Sequence, residues 1–187
     1  MSTQSFRATI VGILFFVTPA TFAQPGSHDA TFAAATMNSY VKTMTLQADQ
    51  RVLVGGVFTQ CNGSPASGIA RLNADGSLDD TFNSVVGLGD RITRGVQAIA
   101  VQSDGRILVG GNFNSVNGLP RSGMARLNAD GSLDATYAAS PASNAVVYAI
   151  QILPDGRAVP VRRDSDEYHG GGHHENRSSL HGSAVFE

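Results

Sequence analysis

The sequence has no tryptophan, one cysteine and one lysine among its 187 residues. A single cysteine excludes a disulfide framework within the chain. Charged residues make up only 15% and sum to −2, well short of the ~25% common in soluble domains, so no basic footprint for nucleic acid or an anionic surface is present. Glutamate is absent before Glu167, which leaves paired-carboxylate glycosidase chemistry to aspartates alone. Outside the last 30 residues the only histidine is His28, so a serine or cysteine nucleophile has no partner base in the body of the chain. No stretch shows a helical 3.6-residue apolar period.

What is present begins with an export pattern. Arg7 precedes an apolar run from Ile10 to Val17, a polar break follows at Pro19, and Thr21-Phe22-Ala23 places small residues where a signal peptidase reads. The run is about half of the ~20 residues that span a bilayer. The expectation is a signal peptide over 1–23, cleaved after Ala23, and an exported product in the periplasm, at the cell surface or outside the cell, with no membrane insertion after cleavage.

The middle of the chain is a repeat. Residues 47–82 and 102–137 align at an offset of 55 without a gap, with 24 of 36 positions identical. A further copy starts at Ile150, where Ile150–Arg157 matches Ile99–Arg106, and Gly26–Phe32 matches Gly76–Phe82. Each copy reads as β. Met44 and Leu46 align with Ile99 and Val101 and with Ile150 and Ile152, apolar i, i+2 pairs that predict one buried face in every first strand. A glycine turn at Ser103-Asp104-Gly105 leads to a return strand, Arg106–Phe113. Inside it the pairs Gly55-Gly56 and Gly110-Gly111 predict a bulge or the close approach of another backbone. A polar loop with Asn117-Gly118, a third strand Gly123–Asn128, an Asp130-Gly131 turn and a short fourth strand ending at Thr136-Tyr137 complete the unit.

Four short strands per ~50 residues is the pattern of a propeller blade. The blocks D-G-R-I-L-V-G-G-x-F, N-G-x-P-R-S-G-M-A-R-L-N and D-G-S-L-D-x-T-F resemble the delta-60 repeat, a bacterial β-propeller-like family of undefined function. The resemblance covers about residues 26–157. It implies an exported all-β repeat protein and carries no catalytic, cofactor or metal residues. The expected organisation is a signal peptide 1–23, repeats over 24–157 (partial unit 26–32, units 40–82 and 96–137, and the start of another at 145–157), and an aberrant, disordered tail 158–187. The expected fold is an incomplete propeller-like repeat of two complete four-stranded blades with partial flanking units.

The tail breaks the pattern. After Arg157 the chain reads AVPVRRDSDEYHGGGHHENRSSLHGSAVFE, with Pro160 where a strand residue should donate a hydrogen bond. The abrupt change of composition suggests a lost reading frame near residue 158 or a truncated gene copy. His169, His173, His174, Glu175 and His181 carry zinc- or nickel-type donors, but Gly170–Gly172 interrupts their spacing, so they are read as tail and not as a metal site.

Three constellations inside the repeats have a chemical reading and a plainer one. Asn73–Asp79 and Asn128–Asp134 set oxygen donors around a glycine, as calcium loops do, but a neutral first donor and few carboxylates favour a hairpin turn in which Asp and Asn bond their own backbone. Thr81-Phe82 and Thr136-Tyr137 resemble the Asp-box of sialidase propellers, itself a structural device. Arg71 and Arg126 recur at one position and suit a turn carboxylate or a backbone carbonyl. Cys61 aligns with Val116 and reads as an apolar loop residue. Gly-Gly in a strand, without Lys-Ser/Thr and a following helix, is no phosphate loop. The functional expectation is a non-enzymatic scaffold or binding module without a cofactor, with another protein or its own copies as partners through open strand edges. The alternative is part of a propeller hydrolase or lyase whose axial residues lie in missing blades.

Overall fold

The structure, a computed structural model, describes residues 32–87, 95–137 and 146–163, which fall in one unit, Thr31–Glu187. The described residues are all β, in small antiparallel sheets, and contain no helix and no closed barrel. The signal segment, His28 and the histidines of the tail lie outside them.

The first sheet pairs β1 (Val41–Leu46) with β2 (Val52–Gly56). Chain order then runs through a short hairpin, β3 (Gln60–Cys61) and β4 (Ser64–Pro65), to β5 (Ile69–Leu72), which lies on the other side of β2. The second sheet repeats this plan after β6 (Val86–Gly87). There β7 (Gly95–Val101) pairs with β8 (Ile107–Asn112), a second hairpin β9 (Ser115–Val116) and β10 (Leu119–Pro120) follows, and β11 (Met124–Leu127) closes the sheet. A third sheet holds β12 (Val146–Ile152) and β13 (Ala158–Arg163). The fourth strand expected in each blade contracts to a single bridge, Leu78 to Leu72 and Leu133 to Leu127. The aspartate that follows each bridge gives its N–H to the carbonyl of an arginine on the neighbouring strand and its carboxylate to that arginine's side chain.

The register explains how one sheet sits on the next. Alternation along β2 sends Leu53 and Gly55 to one face and Val54 to the other. Leu53 and Ile69 pack with Val96, Ile99, Ile107 and Val109 of the second sheet, and Leu108 and Met124 pack with Val147 and Ala158 of the third. The glycine pair makes this possible. A methyl at Gly55 would stand 2.6 Å from Val96 Cγ1, and one at Gly110 would stand 2.5 Å from Val147 Cγ1, so the first glycine of each pair opens the space for the next sheet. The second admits a backbone: a side chain at Gly56 or Gly111 would overlap the carbonyl oxygen of Tyr40 or Gly95. Of the two expected roles, the close approach is met; the register slip lies on the facing strand, between Val41 and Thr43, Val96 and Ala98, and Val147 and Ala149, and so recurs in the third sheet, which has no glycine pair there.

Two expectations change. The strand after Arg157 does not break: β13 continues to Arg163, in step with β12, so the regular pattern runs six residues past the expected boundary at 158. Leu153 N–H bonds the Arg157 carbonyl, and antiparallel pairs alternate between bonded and non-bonded, which places the Ile150–Pro160 pair at a non-bonded position. The N–H that proline lacks would have pointed away from β12, at an edge where proline is tolerated. The apolar pair of the first strand also behaves differently from its copies. Ile99 is 8% exposed, whereas Met44 is 68% and Leu46 63% exposed. Their neighbours Val54, Ala70 and Leu72 are covered by Phe58, Cys61, Ala35 and Met37, but β1 itself has no sheet over it among the described residues.

Candidate functional site

The chemistry-bearing residues gather where each sheet ends in its glycine turn. Leu72 leaves β5 into Asn73-Ala74-Asp75-Gly76, closed by bonds from Asn73 N–H to the Ser77 carbonyl and from Gly76 N–H to the Asn73 carbonyl. Gly76 and Gly131 sit at φ +84° and +88°, in the left-handed region that glycine adopts without cost. Asp75 Oδ1 accepts from the Ser77 backbone (2.9 Å) and hydroxyl (2.7 Å), and these bonds hold its carboxyl below the usual range. Asp130 and Ser132 repeat the arrangement, with the same downward shift. This is the Asx-type hairpin turn.

One residue past the bridge, Asp79 divides its oxygens. Oδ1 accepts from Thr81 N–H (3.0 Å) and its hydroxyl (2.6 Å), and Oδ2 accepts from Arg71 Nε at 2.7 Å. Both side chains are about 95% buried. Burial alone would raise the Asp79 pKa, but the bonds from Thr81 and Arg71 together outweigh it and lower the value. In the second copy Thr136 and Arg126 hold Asp134 the same way, Arg126 Nε at 2.8 Å, and the Thr136 hydroxyl bond leads in pulling its pKa down to about 2. Each guanidinium also lies over the aromatic ring that closes its repeat, Arg71 at 4.7 Å from the Phe82 centroid and Arg126 at 4.5 Å from that of Tyr137.

The constellation also stitches one sheet to the next. Arg71 Nη1 donates to the Ala129 carbonyl in the following turn. Asn83 N–H donates to the Asp130 carbonyl, and Ala33 N–H makes the same bond to Asp75. A methyl on Gly131 would stand 3.0 Å from the Phe82 ring, so the turn glycine makes room for the incoming aromatic. Arg71 thus meets both partners expected of it, a turn carboxylate and a backbone carbonyl. The carboxylate expected to complete a calcium loop is turned to a guanidinium, which gives the plainer turn reading its physical basis.

Cys61 is buried in the cluster of Val54, Phe58, Ala70 and Leu72, and burial pushes its thiol pKa up, away from thiolate chemistry. It is an apolar residue, as its alignment with Val116 suggests, but both stand in short strands, β3 and β9, and not in the loop expected. A second latch was not read from the sequence. Asn62 and Asn117 occupy left-handed turns at φ 50° and 49°, and each grips the segment that arrives from the preceding repeat. Asn62 Oδ1 accepts from Thr36 N–H (2.8 Å) and Asn117 Oδ1 from Val85 N–H (2.7 Å), while their own N–H groups bond the Thr36 and Val85 carbonyls. The Asn-Gly dipeptide was the available signal, since both central residues of a type I′ hairpin need positive φ.

Both repeats match one family model. It is described as a Domain of unknown function (DUF5122) beta-propeller, and the matched residues are 47–82 and 102–137. The matched segments begin before β2 and β8 and end on the aromatic rings at Phe82 and Tyr137, so each contains one whole turn constellation. No curated protein and no solved structure matches the chain. No helix among the described residues is long and apolar enough to cross a membrane.

Proposed function

We propose that this chain is an exported, non-enzymatic repeat scaffold that presents a surface to a protein partner. The observation that carries this reading is the duplication of the Arg–Asp–Thr–aromatic constellation at the same place in successive sheets. Arg71 and Asp79, and Arg126 and Asp134, are engaged with each other, with hydroxyls and with rings. A general acid or base works best with a pKa near the operating pH, and both carboxylates are displaced the other way. A device copied with both complete repeats serves the sheet. Export rests on Arg7, the apolar run Ile10–Val17 and the small residues at Thr21 and Ala23.

Two measurements test the proposal. The full chain is expressed in a bacterium, the compartments are separated and the intact mass is read. The expected product is extracytoplasmic and begins at Gln24; a cytoplasmic product that retains residues 1–23 overturns export. The purified protein is then assayed on chromogenic glycosides and esters, with buffer-level turnover expected. Turnover that disappears in Asp134→Asn would return the chain to the hydrolase alternative.

A further inference from the structure

Of the seven large apolar side chains exposed among the described residues, four lie together at Tyr40, Val41, Met44 and Leu46. Their places in the repeat identify what they are shaped to meet. Val41 and Met44 stand where Val96 and Ile99 stand in the second sheet and Val147 and Ile150 in the third, with the same register slip beside them. In those sheets the pair is seated on a glycine, Gly55 or Gly110, of the sheet before. The two Gly-Gly strands of this sequence are therefore already filled, by Val96 and Ile99 and by Val147 and Ile150. The third sheet cannot offer another. Val161 and Arg162 occupy the places of the glycine pair, and Val161 pairs with Ala149 as Gly110 pairs with Ala98. A side chain at that place in the earlier sheets would run into the next valine.

We infer that the β1 face is a docking seat for a sheet of the same repeat type carried by a different polypeptide, which presents an open Gly-Gly strand to Val41 and Met44, and that Val161 and Arg162 stop this chain from filling its own seat head to tail. The interface is the one already used twice inside the molecule, so its chemistry is defined: glycine against valine and isoleucine or methionine, apolar and without a charge pair. Two copies placed face to face would oppose side chain to side chain with no glycine between them. The inference stands apart from export and from the absence of catalysis.

The test builds a donor from the full chain itself. V161G/R162G restores the glycine pair, and M44D in the same chain destroys its own seat. Sedimentation velocity on this triple variant mixed with wild type is expected to show a 1:1 complex, each protein being monomeric alone. Wild type carrying M44D is expected to give no complex. The inference is overturned if the donor, shown folded by a cooperative melt, forms no complex, or if wild type alone associates and M44D abolishes that association, which would make the seat a self-contact. A second readout does not depend on the donor's folding. In dilute peroxide Met44 of the isolated protein is expected to oxidise as fast as in the unfolded chain, while Met124, buried between sheets, is protected. Protection of Met44 in the monomer would mean that the chain's own residues cover the seat, and would also overturn the inference.

Discussion

Met44 and Ile99 hold the same position in consecutive sheets of one molecule, pair with equivalent valines, Val54 and Val109, and differ in exposure from 68% to 8%. The turn latches of the same two sheets agree in their core: Arg71–Asp79 and Arg126–Asp134 share the carboxylate contact and the ring contact. The contrast separates two kinds of stabilisation. The carboxylate, hydroxyl and ring contacts of a latch close within its own repeat and are present in both copies, while the Arg71 bond to the Ala129 carbonyl reaches into the next. Burial of a sheet face is supplied by the neighbour, as in stacked repeats, where stability is a sum of unit and interface contributions.

The largest expected effect attacks the covered member of the pair. Ile99→Asp puts a carboxylate among the apolar side chains of Leu53, Val96, Ile107 and Val109. An unpaired buried charge and a lost apolar contact together are expected to remove upwards of about 4 kcal/mol. Urea unfolding read by circular dichroism checks this; a loss below about 1 kcal/mol would show that the sheets are not held by this contact.

Gly110→Val follows, because it copies into the second sheet the residue that the third sheet carries at Val161. The new side chain meets Val147 Cγ1 and must push β12 away, and overpacking of this kind costs about 1–3 kcal/mol. The same valine in the third sheet is native and tolerated. If Gly110→Val melts like wild type, sheet-to-sheet contact does not depend on the glycine, and the sense in which Val161 ends the stack is lost as well.

Much of this was legible in the residues. The two 36-residue copies gave away the repeat, and the β reading of Met44/Leu46, Ile99/Val101 and Ile150/Ile152 held as strands in all three sheets. The Asx turns and the Arg71–Asp79 pair were readable because each depends on local backbone or on a partner eight residues away, and the Gly-Gly strands because a missing side chain inside a strand itself signals a close neighbour. The exposure of Met44 was not, because it depends on which sheet stands next, and a repeat alignment assigns one fate to equivalent positions. The persistence of β13 through Pro160 depended on which side of the strand faces the ladder, a matter of register that composition does not reveal. The Asn62 and Asn117 latches were hidden by a drift in spacing: Thr36 and Val85 lie 49 residues apart, whereas the asparagines that grip them lie 55 apart.

Smaller effects come from the latch, where the two repeats should respond alike. Thr136→Val removes the hydroxyl bond to Asp134 and is expected to cost about 1 kcal/mol, and Thr81→Val about the same at Asp79. Acid reads the same contact. Asp134 has a pKa of about 2 in the folded protein, against ~3.9 in an unfolded chain, so its stabilisation is complete above the unfolded value and is lost as pH falls from about 4 through 2. Asp134→Asn should flatten that part of the stability profile, and Thr136→Val should weaken it. An acid limb unchanged in Asp134→Asn would place the acid sensitivity in other carboxylates.

The smallest expected effect is the most telling for the comparison. Met44→Asp is the same kind of change as Ile99→Asp, one repeat earlier on an equivalent strand. With the side chain about two-thirds exposed, the new carboxylate stays in water, and only the partial contact of the methionine with the sheet is given up. The expected change is within about 0.5 kcal/mol of wild type. Measured beside Ile99→Asp, it gives the contribution of a neighbouring sheet to an otherwise equivalent position. A destabilisation of Met44→Asp comparable to that of Ile99→Asp would mean that β1 is covered in the folded protein, and the distinction between a self-closing latch and a neighbour-dependent face would no longer rest on this pair.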